Sequence, residues 1–140
     1  MNNLSLDEAL EIINYAKTKA VEISVPVCVA VVDIGGHLIA FERMDGAILA
    51  SIDISINKAF TSVMLKMSTD RLSEIAMPGE DLYGINTTNN CKIVIFGGGY
   101  PIYMNNNIIG GIGVSGGSTE QDMTIAKTAI EMYSTNNWII

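Results

Sequence analysis

Three features of this sequence are equipped for chemistry: a solitary histidine, a lysine embedded in an apolar segment, and two dense runs of glycine. His37, the only histidine, follows Gly35-Gly36. An imidazole there is open to three readings: an axial ligand to haem or a metal, a proton shuttle, or an ordinary polar turn residue. No nucleophile stands in a recognisable relation to it, so a Ser-His-Asp arrangement is excluded and no catalytic residue is assigned. Cys28 and Cys91 sit in or beside apolar runs without Cys-x-x-Cys spacing. That argues against structural zinc and reads as two buried free thiols.

Lys58 lies between Ile56 and Ala59-Phe60. A lysine on an apolar face snorkels, pairs with a carboxylate (here Asp33, Glu120 or Asp122) or meets a ligand. Arg43, close to Asp45 and Asp53, is a second cation. Eight of the 13 glycines fall between Gly97 and Gly117, in Gly97-Gly98-Gly99 and in Gly110-Gly111-Ile112-Gly113-Val114-Ser115-Gly116-Gly117. Lacking a Cβ, such runs admit a ligand or a second stretch of backbone equally well. The second run leads into a helix whose free N–H groups favour an anion, although Glu120 and Asp122 oppose one. Neither run matches a P-loop or a dinucleotide fingerprint. The candidate ligand contacts are His37, Arg43, Lys58, Gly98, Gly99, Ser115, Glu120 and Asp122.

Positioning these residues calls for alternating helices and strands. Ser5 and Glu8 have capping-box spacing, and Leu6, Ala9, Leu10, Ile13, Ala16, Ala20 and Val21 recur at helical intervals, predicting a helix over 6–23. Residues 27–32 are continuously apolar, as in a strand covered on both faces. Asp33-Ile34-Gly35-Gly36-His37 reads as a hairpin turn into a strand over 38–41. Ile52, Ile56, Ala59, Phe60 and Val63 mark a helix, and Ser68-Thr69-Asp70 caps a shorter one over 70–76. Residues 93–96, 102–104 and 108–114 read as strands, with Asn105-Asn106-Asn107 as a turn. A closing helix begins near Ser118, burying Ile125, Ala126, Ala129, Ile130 and Tyr133. The tail over 134–140 is expected to be loosely held, with Trp138-Ile139-Ile140 docking on a neighbouring subunit. The sum is one domain over 1–140, a profilin-like or PAS-like layered α/β (α+β) fold with a five-stranded, mainly antiparallel sheet flanked by helices.

A net charge of −7, with Lys127 the only basic residue beyond Lys92, argues against nucleic acid as a partner. No apolar run reaches the roughly 18 to 20 residues of a membrane span. Residues 1–11 lack the pattern of a secretion signal, so a cytoplasmic protein is expected. Composition is 49% hydrophobic and 16% charged. The spare apolar surface predicts a homo-oligomer, because obligate subunit contacts resemble a core cut in half.

Five strings carry a family resemblance: Val31-Val32-Asp33-Ile34-Gly35-Gly36-His37-Leu38; Phe41-Glu42-Arg43-Met44-Asp45-Gly46-Ala47; Ser51-Ile52-Asp53 with Asn57-Lys58-Ala59-Phe60-Thr61; Phe96-Gly97-Gly98-Gly99-Tyr100-Pro101; and Gly113-Val114-Ser115-Gly116-Gly117 through Glu120-Gln121-Asp122. Together, over about residues 4–133, they resemble the haem-binding HbpS-like family, which includes GlcG-like proteins and the C-terminal domain of PduO-type proteins. The resemblance implies a profilin-like domain, tetramers or octamers, haem or iron in some members, and a link to glycolate, propanediol or glycerol metabolism. The adenosyltransferase chemistry of PduO-type proteins belongs to a separate N-terminal domain and is not expected here.

The leading expectation is an oligomeric cytosolic protein whose interface holds haem, another tetrapyrrole or a small organic anion. Arg43 and Lys58 would meet carboxylates, the glycine runs would admit the ligand, and His37 would be the axial ligand of haem, the expected cofactor. The alternative is an accessory enzyme acting on a small hydroxy acid or corrinoid, with Asp33, Lys58, Glu120 and Asp122 as acids and bases. A third reading is a structural partner of a catabolic enzyme. Charged residues converging in a cleft favour chemistry, whereas pairing in the core favours a scaffold.

Overall fold

The Glu8 N–H donates to Ser5 Oγ at 3.1 Å while the Ser5 N–H donates to Glu8 Oε1 at 2.9 Å, and this reciprocal cap starts the first helix, α1 (Leu6–Glu22). The computed structural model describes residues 3–137. After α1 come β1 (Cys28–Val32), β2 (Leu38–Arg43), α2 (Ala50–Met64), α3 (Thr69–Ile75), β3 (Gly99–Met104), β4 (Asn107–Ser115) and α4 (Thr119–Asn137). The strands form one antiparallel sheet in the order β2-β1-β4-β3. The α/β class stands, but the sheet has four strands and not the expected five.

The expected strand over 93–96 is absent. There the Val94 N–H donates to the Thr61 side chain at 3.0 Å, so α2 takes a backbone group that a ladder would need. Ile93 is buried against the fold without being in the sheet. β3 instead starts at Gly99 and carries Pro101, which an edge strand tolerates because its missing N–H removes only an unneeded donor. Asn105 and Asn106, with φ of 50° and 66°, make the two-residue turn into β4.

The two faces of the sheet are covered differently. Val29 and Val31 of β1 with Ile112 and Val114 of β4 face α1 and α4, meeting Ile12, Ile13, Ile125 and Ala129. Burial of each of these larger aliphatic side chains contributes about 1.5–3 kcal/mol. The α1 stripe differs from expectation: Ile12 is buried, whereas Leu6 and Val21, at 55% and 68% exposure, are not. α4 buries the expected Ile125, Ala126, Ala129 and Tyr133, adds Asp122 and leaves Ile130 half-buried. It continues through the first part of the expected loose tail, where Asn136 and Asn137 donate to Tyr15 and Glu11 of α1. The expected docking of the last three residues falls outside the described residues.

On the opposite face lies α2, with α3 reaching β3 beside it. The sheet-facing side of α2 is mostly small residues, Ser51, Ser55, Ala59 and Ser62; of the apolar residues that mark this helix in the sequence, Ala59 and Val63 are buried, whereas Ile52, Ile56 and Phe60 are half-buried. Opposite the small residues stand Gly111 and Gly113. A Cβ on Gly113 would collide with the Ser55 carbonyl and come within 2.6 Å of the Ala59 nitrogen, and one on Gly111 would come within 2.6 Å of Ser62 Oγ. The second glycine run therefore lets helix and sheet backbones touch. Ser55 and Ser62 donate to carbonyls of their own helix, at 3.2 and 2.8 Å, and need no partner from the sheet.

Candidate functional site

The β1–β2 turn is built by one carboxylate. Asp33 Oδ1 accepts from the N–H groups of Gly35 and His37, each at 2.9 Å, and lies 3.1 Å from His37 Nδ1. Burial pushes the Asp33 carboxyl up, but the bonds from the His37 and Gly35 N–H groups outweigh it and hold the carboxyl below its usual range. An ionised carboxylate only accepts, so Nδ1 of a neutral ring carries the proton and the Nε2 lone pair points elsewhere. The His37 side chain is 81% exposed, so that lone pair is open to a ligand. This is the arrangement by which a carboxylate orients a metal-binding histidine.

Beside this turn runs an apolar ridge. Ile52, Ile56, Phe60 and Met64 follow one another at four-residue spacing along α2, the first three half-buried and Met64 at 38% exposure. Gly36, next to His37, packs on the end of the ridge: a Cβ there would come within 2.9 Å of both Phe60 and Met64. Leu38, at 49% exposure, pairs with Val32 at the start of β2. Of the ridge, Ile52, Ile56 and Phe60 mark the helix in the sequence, and Met64 extends the line. The ridge is partly surface because the small-residue face of α2 takes the sheet.

Lys58 goes the other way, into the protein. Only 1% exposed, its Nζ donates to the Val114 carbonyl at 2.8 Å and to Asp122 Oδ2 at 3.1 Å, and lies 5.2 Å from the centre of the Phe96 ring. Of the three carboxylates weighed as partners, Asp122 is the one that pairs; its Oδ1 accepts from the Gly117 N–H at 2.8 Å. Burial lowers the Lys58 pKa and raises that of Asp122, each opposed by the other's charge. Gly98 and Gly99 lie against Lys58, and the Gly99 N–H donates to Thr69 Oγ1 at 2.9 Å. Buried Ser115 shares a 2.9 Å hydrogen bond with Ser51. Phe96, which caps the lysine, had no sequence signal beyond its place before the first glycine run.

The remaining candidates lie apart. Arg43 stands at the far end of β2 from His37, about 20 Å along the strand, pairs across β1 with Cys28, and makes no ion pair among the described residues. Glu120 is exposed at the start of α4, beside a shallow cavity of about 250 Å³ that it shares with Met123, Thr124 and Lys127. Cys28 is buried and its thiol is pushed up by that burial, whereas Cys91, expected to be buried, is exposed after Asn89 and Asn90 in a short 3₁₀ turn. The structure thus joins Lys58, Asp122, Gly98 and Gly99 into one buried cluster, buries Ser115 against Ser51, and leaves His37, Arg43 and Glu120 in three separate places.

Comparison with known proteins agrees with this architecture. Residues 4–131 match the family model described as haem degrading protein HbpS-like. A 15.0 kDa protein from the dhaT–dhaS intergenic region of Citrobacter freundii is 44% identical over 131 residues, covering 94% of this chain and 92% of that protein. The corrinoid adenosyltransferase PduO of Salmonella typhimurium is 42% identical over 127 residues, covering 91% of this chain but only 38% of PduO. The solved PduOC:heme complex superposes with a TM-score of 0.89 at 41% identity, covering 92% of this chain and 94% of that one. On the family match and these relatives, the chain belongs to the HbpS-like family, with kin among the GlcG proteins and the PduO proteins.

Proposed function

We propose that this chain is a homo-oligomeric haem-binding protein in which His37 Nε2 would hold the haem iron and the α2 ridge would form the apolar seat. The observation that carries the reading is the Asp33-oriented, exposed imidazole set against Phe60 and Met64 through Gly36. The residues present suit the group: a nitrogen donor with a free lone pair, a carboxylate behind it, and apolar side chains beside it. When bound, haem would supply iron-centred ligand binding and redox chemistry. The protein's own part is to hold Nδ1 protonated, to aim Nε2 outward and to exclude water from one side. A second copy of the chain covering the other side completes the enclosure, and tetramers or octamers follow from repeating such contacts. The PduOC:heme complex and the family description both support haem as the ligand. A place beside diol, glycerol or glycolate catabolism is part of the same proposal.

Binding is favoured over acid–base chemistry because Asp33, Lys58 and Glu120 do not share a cleft, and Lys58 is paired inside the core. Two measurements test the reading. Haemin titration followed at the Soret band should saturate at a fixed haem-to-chain ratio; absorbance rising without saturation would remove haem as the specific ligand. Sedimentation of the same samples should give an assembly larger than one chain, and a monomer at all concentrations would refute the shared seat.

A further inference from the structure

Where both hairpin turns meet the C-terminus of α2 there is a cavity of about 460 Å³, within the roughly 300–1,000 Å³ of small-molecule sites and outside the haem seat. Ile34, Val63 and Ile108 supply apolar wall; Lys66, Tyr103 and Asn106 supply polar groups. Lys66 has no carboxylate within ion-pair distance among the described residues, in a chain with 15 acidic against 8 basic residues.

The backbone of Lys66 adds a second observation. α2 ends with the Met67 N–H reaching back to the Ser62 carbonyl at 3.2 Å, and Lys66 takes the left-handed position of that motif with φ of 56°. Glycine holds this position without strain. A lysine there keeps a cation in the cavity wall against its own backbone preference, and such outliers gather at functional sites. The negative end of the α2 dipole lies nearby, so anion binding here must depend on that single ammonium group.

We propose that this cavity binds a short-chain hydroxycarboxylate: the carboxylate on the Lys66 ammonium, the carbon chain against Ile34, Val63 and Ile108, and the hydroxyl toward the Asn106 amide and the Tyr103 phenol. The proposal stands independently of haem binding. Its test is an NMR titration of the ¹⁵N-labelled protein with 2-hydroxybutyrate, alongside the neutral analogue 2-hydroxybutyramide. The acid should give saturable shifts at Ile34, Tyr103, Asn106 and Ile108, and the amide should give none. Lys66→Gly should weaken binding at least about tenfold, the loss of one charge-assisted bond. Its melting temperature should equal or exceed that of the unmodified protein, because glycine relieves the left-handed strain. Lys66→Arg should retain binding. Absence of saturable shifts, equal shifts with the amide, or full binding by Lys66→Gly would overturn the proposal.

Discussion

At the residue scale, two side chains with similar promise in the sequence take opposite roles, and burial decides between them. His37 is exposed and oriented by Asp33. Lys58 is buried, with Val114, Asp122 and Phe96 around its ammonium group, so nothing is left for a ligand. Replacing Asp33 by Asn should keep the turn but remove the charge behind the imidazole, lowering haem affinity about 10- to 100-fold in a haemin titration. Lys58→Met should strand the buried Asp122 carboxylate and lower stability by about 3–5 kcal/mol in urea unfolding. The double variant Lys58→Met with Asp122→Leu should lose less than the sum of the two single losses, by about 1 kcal/mol or more; strict additivity would mean the pair is not coupled. The choice of Asp122 over Glu120 was legible: residue 122 is in helical register with Ile125, Ala126 and Ala129, and residue 120 is not. Its preference over Asp33 was not, because nothing local says that Asp33 is taken by its own turn.

At the scale of elements, most helices and strands were readable from caps, periodicity and turns, and the packing of α2 shows why part was not. Sequence periodicity assumes that large apolar residues face the core, yet α2 turns serines and an alanine to the sheet because Gly111 and Gly113 let the backbones meet. The glycines were visible, but their partner across space was not. Gly113→Ala should therefore cost about 3 kcal/mol or more in chemical denaturation by forcing α2 off the sheet, whereas Ser55→Ala should change stability by less than about 1 kcal/mol, since its hydroxyl bonds only within α2. The α1–α4 pairing carries a pH signature. Glu8, which accepts from the Tyr133 hydroxyl and from the Ser5 N–H, has its pKa lowered from the usual 4.5. A depressed folded-state pKa means that its stabilisation is present above that value and is lost as pH falls through the folded one. Unfolding titrations from pH 6 down to 3 should show that loss, and Tyr133→Phe should shrink it; an unchanged acid limb in Tyr133→Phe would contradict the link.

At the scale of the whole molecule, the surplus of apolar composition finds a location. Ile48 and Leu49, at 62% and 69% exposure, stand just before α2, whose Met64 is 38% exposed. Among the described residues no helix is long and apolar enough to cross a membrane. The family could be read from five ordered strings because they mark the turns and glycines that this fold requires. The ligand could not, since the strings locate His37 without saying what faces it. Phe60→Asp should shift the sedimentation coefficient toward the monomer, and an unchanged assembly would place the subunit contact elsewhere.

The central claim, that His37 ligates haem, is tested most directly by pairing His37→Gly with free imidazole in a haemin titration. Loss of the saturable Soret band in the variant and its return on adding imidazole is the predicted result, because the cavity left by the side chain admits the missing ligand. A saturable band of unchanged position in His37→Gly without imidazole would assign the iron to another residue and contradict the account.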